Sequence, residues 1–245
     1  MNAIGLRDGR AKSDGGTSPS YGTGDRLIHS LRYTALALLG FAALLFAAPV
    51  RAQAEPPVRI VAFGDSLTAG YGLPAQNAFP AKLERALKAN GVNVTIENSG
   101  VSGDTASGGL SRLDWSIPDG TDAVILELGA NDMLRGVDPK VTRQALDSIL
   151  KQLKDRGIDV LLCGMRAAPN MGAGYVQDFE GLFTDLARKH GVLFYPFFLD
   201  GVAAQAKFAL RDGIHPNAAG VDVIVAGIVP KVKELIARVR ARRGA

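Results

Sequence analysis

The chain has few of the residues that cross-link a fold or bind a metal. It contains one cysteine, Cys163, and three histidines among 245 residues. A single cysteine excludes an internal disulfide, so the fold must be stabilised by its core. Cys163 ends an apolar stretch, where we predict a small buried thiol and not a nucleophile. Histidine, cysteine and carboxylate residues do not cluster with the spacing of metal ligands, so we predict no metal site.

The chain also lacks an apolar stretch as long as the about 20 residues that a membrane-spanning helix needs. The uncharged run at 34–48 has 15 residues, follows two arginines and precedes Ala-Gln-Ala at 52–54. This is the layout of a secretory signal peptide. We predict that residues 1–54 are a signal peptide with an extended N-terminal arm, cleaved after Ala54, and that 55–245 form one periplasmic or secreted domain. An uncleaved inner-membrane anchor through 34–48 is the alternative.

The charge balance gives no sign of a nucleic-acid partner. Residues 1–54 carry six of the 28 Lys and Arg and three of the 24 Asp and Glu, which leaves 22 and 21 in residues 55–245, a net charge of +1. The basic end at 238–243 is interpreted as a solvated helix terminus, with peripheral contact to membrane lipid as the alternative. The Gly-rich segment at 100–109 lacks a phosphate-loop signature, so we expect no bound nucleotide. A monomer is favoured.

Short apolar runs alternate with longer amphipathic ones along residues 55–245. The apolar runs predict five strands, and the amphipathic runs have the 3.6-residue period of helices. Strands that alternate with helices predict a parallel sheet covered on both faces. The predicted strands are 58–63, 92–97, 123–128, 158–163 and 192–195. The predicted helices are 77–90, a short one with Leu110 and Leu113, 139–156, one that ends near residue 190, and 217–239.

Polar residues follow these strands, at the edge where parallel sheets bind ligands. Ser66 comes directly after the first strand. A serine becomes a nucleophile when a base removes its proton, and an acid that orients the base completes such a site. His215 is the only histidine with a carboxylate, Asp212, three residues before it. Taken without the rest of the chain, Asp212 could equally cap a helix and His215 could be a surface residue.

Four sequence blocks give these residues a common context. They are FGDSLTAGYG at 63–72, SGVSGDT at 99–105, LGANDMLRG at 128–136 and DGIHPN at 212–217. In this order they resemble the SGNH (GDSL) hydrolases, and within them the secreted thioesterase I/arylesterase/lysophospholipase branch. The resemblance covers about residues 58–237. It implies a three-layer α/β/α flavodoxin-like fold with a five-stranded parallel sheet.

The resemblance also implies a role for each matching residue. Ser66 corresponds to the nucleophile, His215 to the base and Asp212 to the acid that orients it. The oxyanion hole corresponds to the backbone N–H groups of Ser66 and Gly103 and the side-chain amide of Asn131. Such a site needs no cofactor.

Other polar residues receive structural interpretations. We expect Asp65 to hold the turn before Ser66 by accepting backbone N–H bonds, and Asp132 to do the same elsewhere. His190 stands at the end of a predicted helix, where we interpret it as a cap.

The resemblance places the loop after the fourth strand beside the acyl groove. Arg166, Ala167, Ala168 and Pro169 are therefore predicted to contact substrate, and the two small alanines to influence acyl-chain preference. The predicted function is hydrolysis of carboxylic-ester and thioester bonds of small acyl substrates by a serine esterase of the arylesterase, thioesterase or lysophospholipase type. The alternatives are a carbohydrate O-acetyl esterase and a non-catalytic envelope protein that binds lipid or glycan.

Overall fold

The computed structural model describes Gly16 and residues 55–244. The predicted signal peptide at 1–54, its cleavage site and the alternative anchor at 34–48 lie outside these residues, Gly16 apart. Within the described part of the chain, no helix has both the length and the apolar composition needed to cross a bilayer.

One sheet of five parallel strands forms the centre of the domain, in the order β2-β1-β3-β4-β5. The strand order and the parallel pairing are those of flavodoxin-like folds, as predicted. The strands are β1 (Val58–Gly64), β2 (Val94–Gly100), β3 (Ala123–Glu127), β4 (Asp159–Cys163) and β5 (Leu193–Tyr195). β2 extends three residues beyond its predicted end. The prediction stopped early because this edge strand is half exposed and its last residues are polar or glycine, so they do not continue the apolar run.

Seven α-helices accompany the described strands. Two of them, α1 and α4, were not predicted, because four or five residues are too few to show a helical period. The helices are α1 (Ser66–Ala69), α2 (Phe79–Ala89), α3 (Ala106–Ser116), α4 (Ala130–Leu134), α5 (Pro139–Asp155), α6 (Ala173–His190) and α7 (Ala218–Arg243).

The connections place the helices on both faces of the sheet. α2 links β1 to β2, and α3 links β2 to β3 in the opposite direction across the sheet. Because crossovers between parallel strands are right-handed, these two helices cover opposite faces. α5 packs against α3 and α6, and α7 packs against α2. The result is the predicted three-layer α/β/α architecture.

The strand order reverses at β1, and this reversal determines where a site can form. β2 lies on one side of β1 and β3 lies on the other, so the chain changes direction across the sheet at β1. A crevice therefore opens beyond the carboxyl ends of β1 and β3. Gly64 and Gly100 are paired at the carboxyl ends of β1 and β2. A Cβ on Gly64 would overlap the side chains of Thr68 and Glu127, and one on Gly100 would overlap the backbone of Ala69. Two glycines therefore let α1 pack directly on the end of the sheet.

The opposite end of the sheet explains why the last helix is longer than predicted. α7 continues to Arg243, four residues beyond the predicted end. Arg242 pairs with Asp159, with Nε 3.1 Å from Oδ2, and Arg243 pairs with Asp122. These acids lie at the starts of β4 and β3, so two of the basic residues interpreted as solvated are bound to the sheet edge.

Two predictions about single residues have clear outcomes. Cys163 is a free thiol, fully buried at the end of β4, as predicted. His190 is not the helix cap: Gly191 takes that position with φ 68°. Instead, His190 Nε2 lies 2.6 Å from Asp147 Oδ1, which links α6 to α5. The cap prediction failed because glycine adopts the left-handed conformation more readily than histidine does.

Candidate active site

Ser66 is the first residue of α1, directly after β1. Asp65 caps this helix, since its Oδ1 accepts the N–H of Leu67 at 2.9 Å. Gly70 ends the helix with φ 82°, and its N–H donates to the carbonyl of Ser66. A four-residue helix fixed at both ends presents the Ser66 side chain at the crevice, where the residue remains 8% exposed. Asp65 thus has the turn-forming role predicted for it.

Asp212 and His215 come from a tight turn before α7. Oδ1 of Asp212 accepts the N–H groups of Ile214 at 2.9 Å and of His215 at 3.0 Å. Gly213 has φ 72°, a conformation that a side chain would strain. The turn is anchored by Leu210, whose N–H donates to the carbonyl of His215 at 2.7 Å.

The structure brings the three predicted residues into one hydrogen-bonded line. His215 Nδ1 lies 2.7 Å from Asp212 Oδ2, and His215 Nε2 lies 2.9 Å from Ser66 Oγ. A proton on Nδ1, facing the carboxylate, leaves the Nε2 lone pair free to accept from the Ser66 hydroxyl. This is the geometry that general-base activation of a hydroxyl requires.

Hydrogen bonds keep Asp212 ionised. The backbone N–H groups of His215 and Ile214, followed by the His215 side chain, lower the pKa of Asp212 to about 2. The carboxylate is therefore present as an acceptor at any pH near neutrality.

Tyr71 covers one face of the histidine, a contact that no sequence pattern predicts. The two ring centroids are 4.5 Å apart and the rings are tilted by 36°. Tyr71 is itself 52% exposed. It limits the positions that the His215 ring can take.

The predicted oxyanion donors lie after β1, β2 and β3. Among the described residues, the backbone N–H groups of Ser66 and Gly103 donate to no protein acceptor. Gly103 has φ 85°, and its carbonyl accepts a 2.8 Å bond from Arg135 Nη2. Asn131 Nδ2 donates one hydrogen to Asp65 Oδ2 at 3.0 Å, which leaves its second hydrogen for a ligand.

Two buried acids hold the loops around these donors. Asp132 accepts the N–H of Ala106 at 2.8 Å and the hydroxyl of Thr142 at 2.9 Å, which joins the starts of α3 and α5 to α4. Asp65 is fully buried, and burial raises its pKa to about 6 against the opposing effect of its hydrogen bonds.

Within residues 55–244, no three His, Cys, Asp or Glu side chains are grouped as metal ligands would be.

A cavity of about 1120 Å³ opens beside Ser66 and His215. All four residues predicted to contact substrate line it, so the structure places them in the same cavity as Ser66. Ala167 is nearly buried and its N–H lies 3.3 Å from Glu180 Oε1. The Arg166 guanidinium lies over the Phe197 ring, 4.7 Å from its centroid.

Most of the remaining cavity wall was not predicted. It is formed mainly by apolar side chains from α4, α6 and the loops after β5 and before α7, which are distant in sequence. Single apolar residues in loops carry no periodic signal that would identify them. The apolar side chains of this wall, from helices and loops together, are those of Met133, Leu134, Met165, Ala173, Val176, Phe197, Leu199 and Ile214.

Comparisons with known proteins agree with this geometry. The family model described as GDSL-like Lipase/Acylhydrolase matches residues 62–223. The chain is 38% identical over 167 residues to an arylesterase of Vibrio mimicus, covering 68% of this chain and 84% of that protein. It is 36% identical over 159 residues to the thioesterase 1/protease 1/lysophospholipase L1 of Escherichia coli strain K12, covering 64% of this chain and 75% of the relative.

A solved structure gives the same result. The crystal structure of AlinE4, an SGNH-hydrolase family esterase, is 45% identical with a TM-score of 0.62, covering 73% of this chain and 96% of that one. These matches confirm the resemblance drawn from the four sequence blocks. The chain belongs to the GDSL-like lipase/acylhydrolase family and is an ester hydrolase of the SGNH type.

Proposed function

We propose that Ser66, His215 and Asp212 act as a catalytic triad that hydrolyses carboxylic esters and thioesters through an acyl-enzyme. The observation that carries the proposal is the hydrogen-bonded line from Asp212 Oδ2 to Ser66 Oγ, with distances of 2.7 and 2.9 Å. Each proton transfer in the reaction can take place along this line.

The reaction follows from the positions of the hydrogens. His215 Nε2 takes the hydroxyl proton as Ser66 Oγ attacks the acyl carbonyl carbon, and Asp212 stabilises the imidazolium that forms. The same nitrogen then protonates the departing alcohol or thiol. Water, deprotonated by His215, attacks the acyl-enzyme and releases the acid. The chain supplies every group that these steps need, so no cofactor is required.

The oxyanion of the two tetrahedral intermediates would be bound by three donors. These are the N–H groups of Ser66 and Gly103 and the second amide hydrogen of Asn131. The orientation of these donors supports the proposal. Donors that are already in place need no rearrangement when negative charge develops on the carbonyl oxygen in the transition state.

The cavity favours substrates with an apolar acyl group. Its wall is mainly apolar, and a volume of about 1120 Å³ exceeds what an acetyl group needs. A carbohydrate O-acetyl esterase would have little use for such a groove, so an ester or thioester of a longer acyl chain is the better proposal. The named relatives, an arylesterase and a thioesterase/lysophospholipase, are consistent with an ester or thioester substrate.

The test combines one variant with one covalent probe. Ser66→Ala should reduce hydrolysis of p-nitrophenyl esters to background and abolish labelling by a fluorophosphonate. Ser111→Ala, at an exposed serine of α3, is the matched control and should keep both. Hydrolysis near the wild-type rate in Ser66→Ala would contradict the proposal.

A substrate panel separates the alternatives. It consists of aryl esters, thioesters and lysophospholipids with acyl chains from acetyl to palmitoyl, together with acetylated sugars. Activity confined to acetylated sugars would favour the O-acetyl esterase. Binding of lipid or glycan without any turnover would favour the non-catalytic protein.

We also propose that residues 55–245 act outside the cytoplasm, after cleavage behind Ala54. The support is the signal-peptide pattern of residues 1–54. N-terminal sequencing of the exported protein should give Glu55. An intact N-terminus in the membrane fraction would favour the anchored alternative.

A further inference from the structure

Glu127 places a carboxyl group inside the protein, against Asp65 and Thr68 on either side of Ser66 in the chain. It is the last residue of β3, paired with Gly64 on one side and Cys163 on the other. It is 0% exposed, as is the neighbouring Asp65. Neither carboxyl group forms an ion pair with a cation among the described residues.

One of the two Glu127 oxygens is well satisfied and the other is not. Oε2 accepts the hydroxyl of Thr68 at 2.8 Å and lies 3.4 Å from the backbone nitrogen of Asp65. Oε1 is buried and receives no hydrogen from any residue that the structure describes. An ionised carboxylate with a bare oxygen, buried without a cation, is strongly unfavourable. A neutral acid avoids this penalty because it carries no charge. Its O–H is then a donor, which needs an acceptor of its own.

The acceptor available is Asp65, whose backbone nitrogen lies 3.4 Å from Glu127 Oε2 and whose negative charge acts on Glu127. Oδ1 of Asp65 already accepts from Leu67, and Oδ2 from the amide of Asn131. An acid that donates to a carboxylate shares one negative charge between two groups that could not both ionise at low cost.

The other groups around Glu127 do not offset its charge. The Cys163 thiol on β4 is neutral, because burial raises its pKa well above the usual range. Arg112 of α3 donates to the carbonyl of Gly64 at 2.9 Å, but its guanidinium is already paired with Asp104. Consistently, burial and the negative charge of Asp65 raise the pKa of Glu127 well above its ordinary value.

We propose that Glu127 is a positioning residue of this esterase: as a neutral acid it donates to Asp65, and Asp65 in turn fixes the Asn131 amide as an oxyanion donor. The proposal rests on the assignment of Asn131 to the oxyanion hole made above. Glu127 touches neither substrate nor nucleophile. It acts through two hydrogen bonds, from Glu127 to Asp65 and from Asn131 to Asp65.

The first test compares two substitutions in the full chain. Glu127→Gln keeps the size and a donor for Asp65, and should retain kcat within about fivefold. Glu127→Leu removes the donor, and should lower kcat roughly 10- to 100-fold with KM changed less than about twofold. This loss of kcat is smaller than the loss of about 10²- to 10³-fold that is typical when an oxyanion donor itself is removed. Glu97→Gln, at an exposed glutamate of β2, is the control.

The pH profile gives a readout that a purely structural role would not move. Glu127 is neutral below its raised pKa, so wild-type kcat should fall as the pH rises through that pKa and the proton is lost. Glu127→Gln has no such proton, and its kcat should persist to higher pH. An alkaline decline identical in both proteins would overturn the proposal.

The second test needs no activity. Infrared spectra of the wild type at neutral pH should contain the carbonyl band of a protonated carboxylic acid. That band should disappear in Glu127→Gln and remain in Glu97→Gln. A band unchanged by Glu127→Gln would overturn the proposal even if Ser66→Ala shows that the triad assignment is right. If Glu127→Leu does not fold, the infrared spectra and the Glu127→Gln profile still decide.

Discussion

His215 Nε2 lies 2.9 Å from Ser66 Oγ, although 149 residues separate them in the chain. Each side chain is held by its own turn: Ser66 by the capped helix α1 and His215 by the Asp212 turn before α7. The two turns meet because both lie at the carboxyl ends of parallel strands. The pair is therefore fixed by the sheet and not by local sequence.

Replacing Asp212 by asparagine should change the histidine tautomer. The Asn oxygen can still accept the N–H groups of Ile214 and His215, so the turn should persist. Its NH₂ would face Nδ1 and place the proton on Nε2, which could no longer accept from Ser66. We expect kcat to fall roughly 10²- to 10⁴-fold with KM little changed, measured by steady-state kinetics on a p-nitrophenyl ester.

The control for this variant is Asp114→Asn, which removes an exposed carboxylate from α3 and should leave kcat unchanged. Because the pKa of Asp212 is about 2, the loss in Asp212→Asn should also be constant from about pH 5 to about pH 9. A loss that vanishes at low pH would mean that Asp212 titrates in the working range.

The sequence was sufficient to predict the sheet and to indicate the residues that we propose for the site, because both depend on strong patterns. Five apolar runs predicted five strands, and Ser66, Gly103, Asn131 and His215 stand where those strands or their loops end. The predicted limits of edge strand β2 were wrong, and the short helices α1 and α4 were not predicted, because too few residues carry a periodic signal there.

Contacts between distant residues could not be predicted from the sequence alone. The Tyr71 ring beside His215 and the Arg135 bond to Gly103 depend on how loops pack. Glu127 did carry a signal, a single acid ending an apolar strand. The role that we propose for it depends on Asp65 beside it and on the absence of a cation among the described residues to balance the charge.

Removing the Asn131 side chain should weaken the transition state more than substrate binding. Asn131→Ala deletes a donor proposed to bind the oxyanion, so kcat should fall about 10²- to 10³-fold while KM stays within about threefold. Asn93→Ala, at the start of β2, is the matched control. Equal losses in both variants would indicate a general effect on folding, and an unchanged kcat in Asn131→Ala would remove this residue from the oxyanion hole.

Enlarging Ala168 should shorten the preferred acyl chain. Ala168 lines the cavity and is half-buried, whereas Ala167 is nearly buried and a larger side chain there would strain the core. Each buried methylene contributes ~0.8 kcal/mol, about fourfold in kcat/KM. Ala168→Leu should therefore lower the ratio of decanoyl to butanoyl activity by about tenfold and change acetyl activity less than about twofold.

The control is Ala89→Leu, at the exposed end of α2, which adds the same side chain away from the cavity. Its chain-length profile should match that of the wild type. If the profile of Ala168→Leu also matches, the acyl group does not lie along the loop after β4.

Stability should depend on pH differently in the wild type and in Glu127→Gln. The unfolded chain releases the Glu127 proton near the ordinary pKa of 4.5, whereas the folded protein keeps it, because its pKa is raised. Below the unfolded pKa both states hold the proton, and the wild type loses nothing. As the pH rises between the two pKa values, the unfolded state is favoured by up to ~1.4 kcal/mol per pH unit. Glu127→Gln has no proton to release.

The measurement is urea unfolding of both proteins at about pH 5, 6, 7 and 8, with Glu97→Gln for comparison. The free energy of unfolding of Glu127→Gln relative to the wild type should rise steadily with pH, while that of Glu97→Gln should stay nearly constant. Asp65 is present in all three proteins, but its pKa depends in part on the Glu127 side chain, so the comparison reports the titration of the two acids together. A difference between Glu127→Gln and the wild type that does not change with pH would mean that Glu127 ionises alike in the folded and unfolded chain, which burial without a cation makes physically unfavourable.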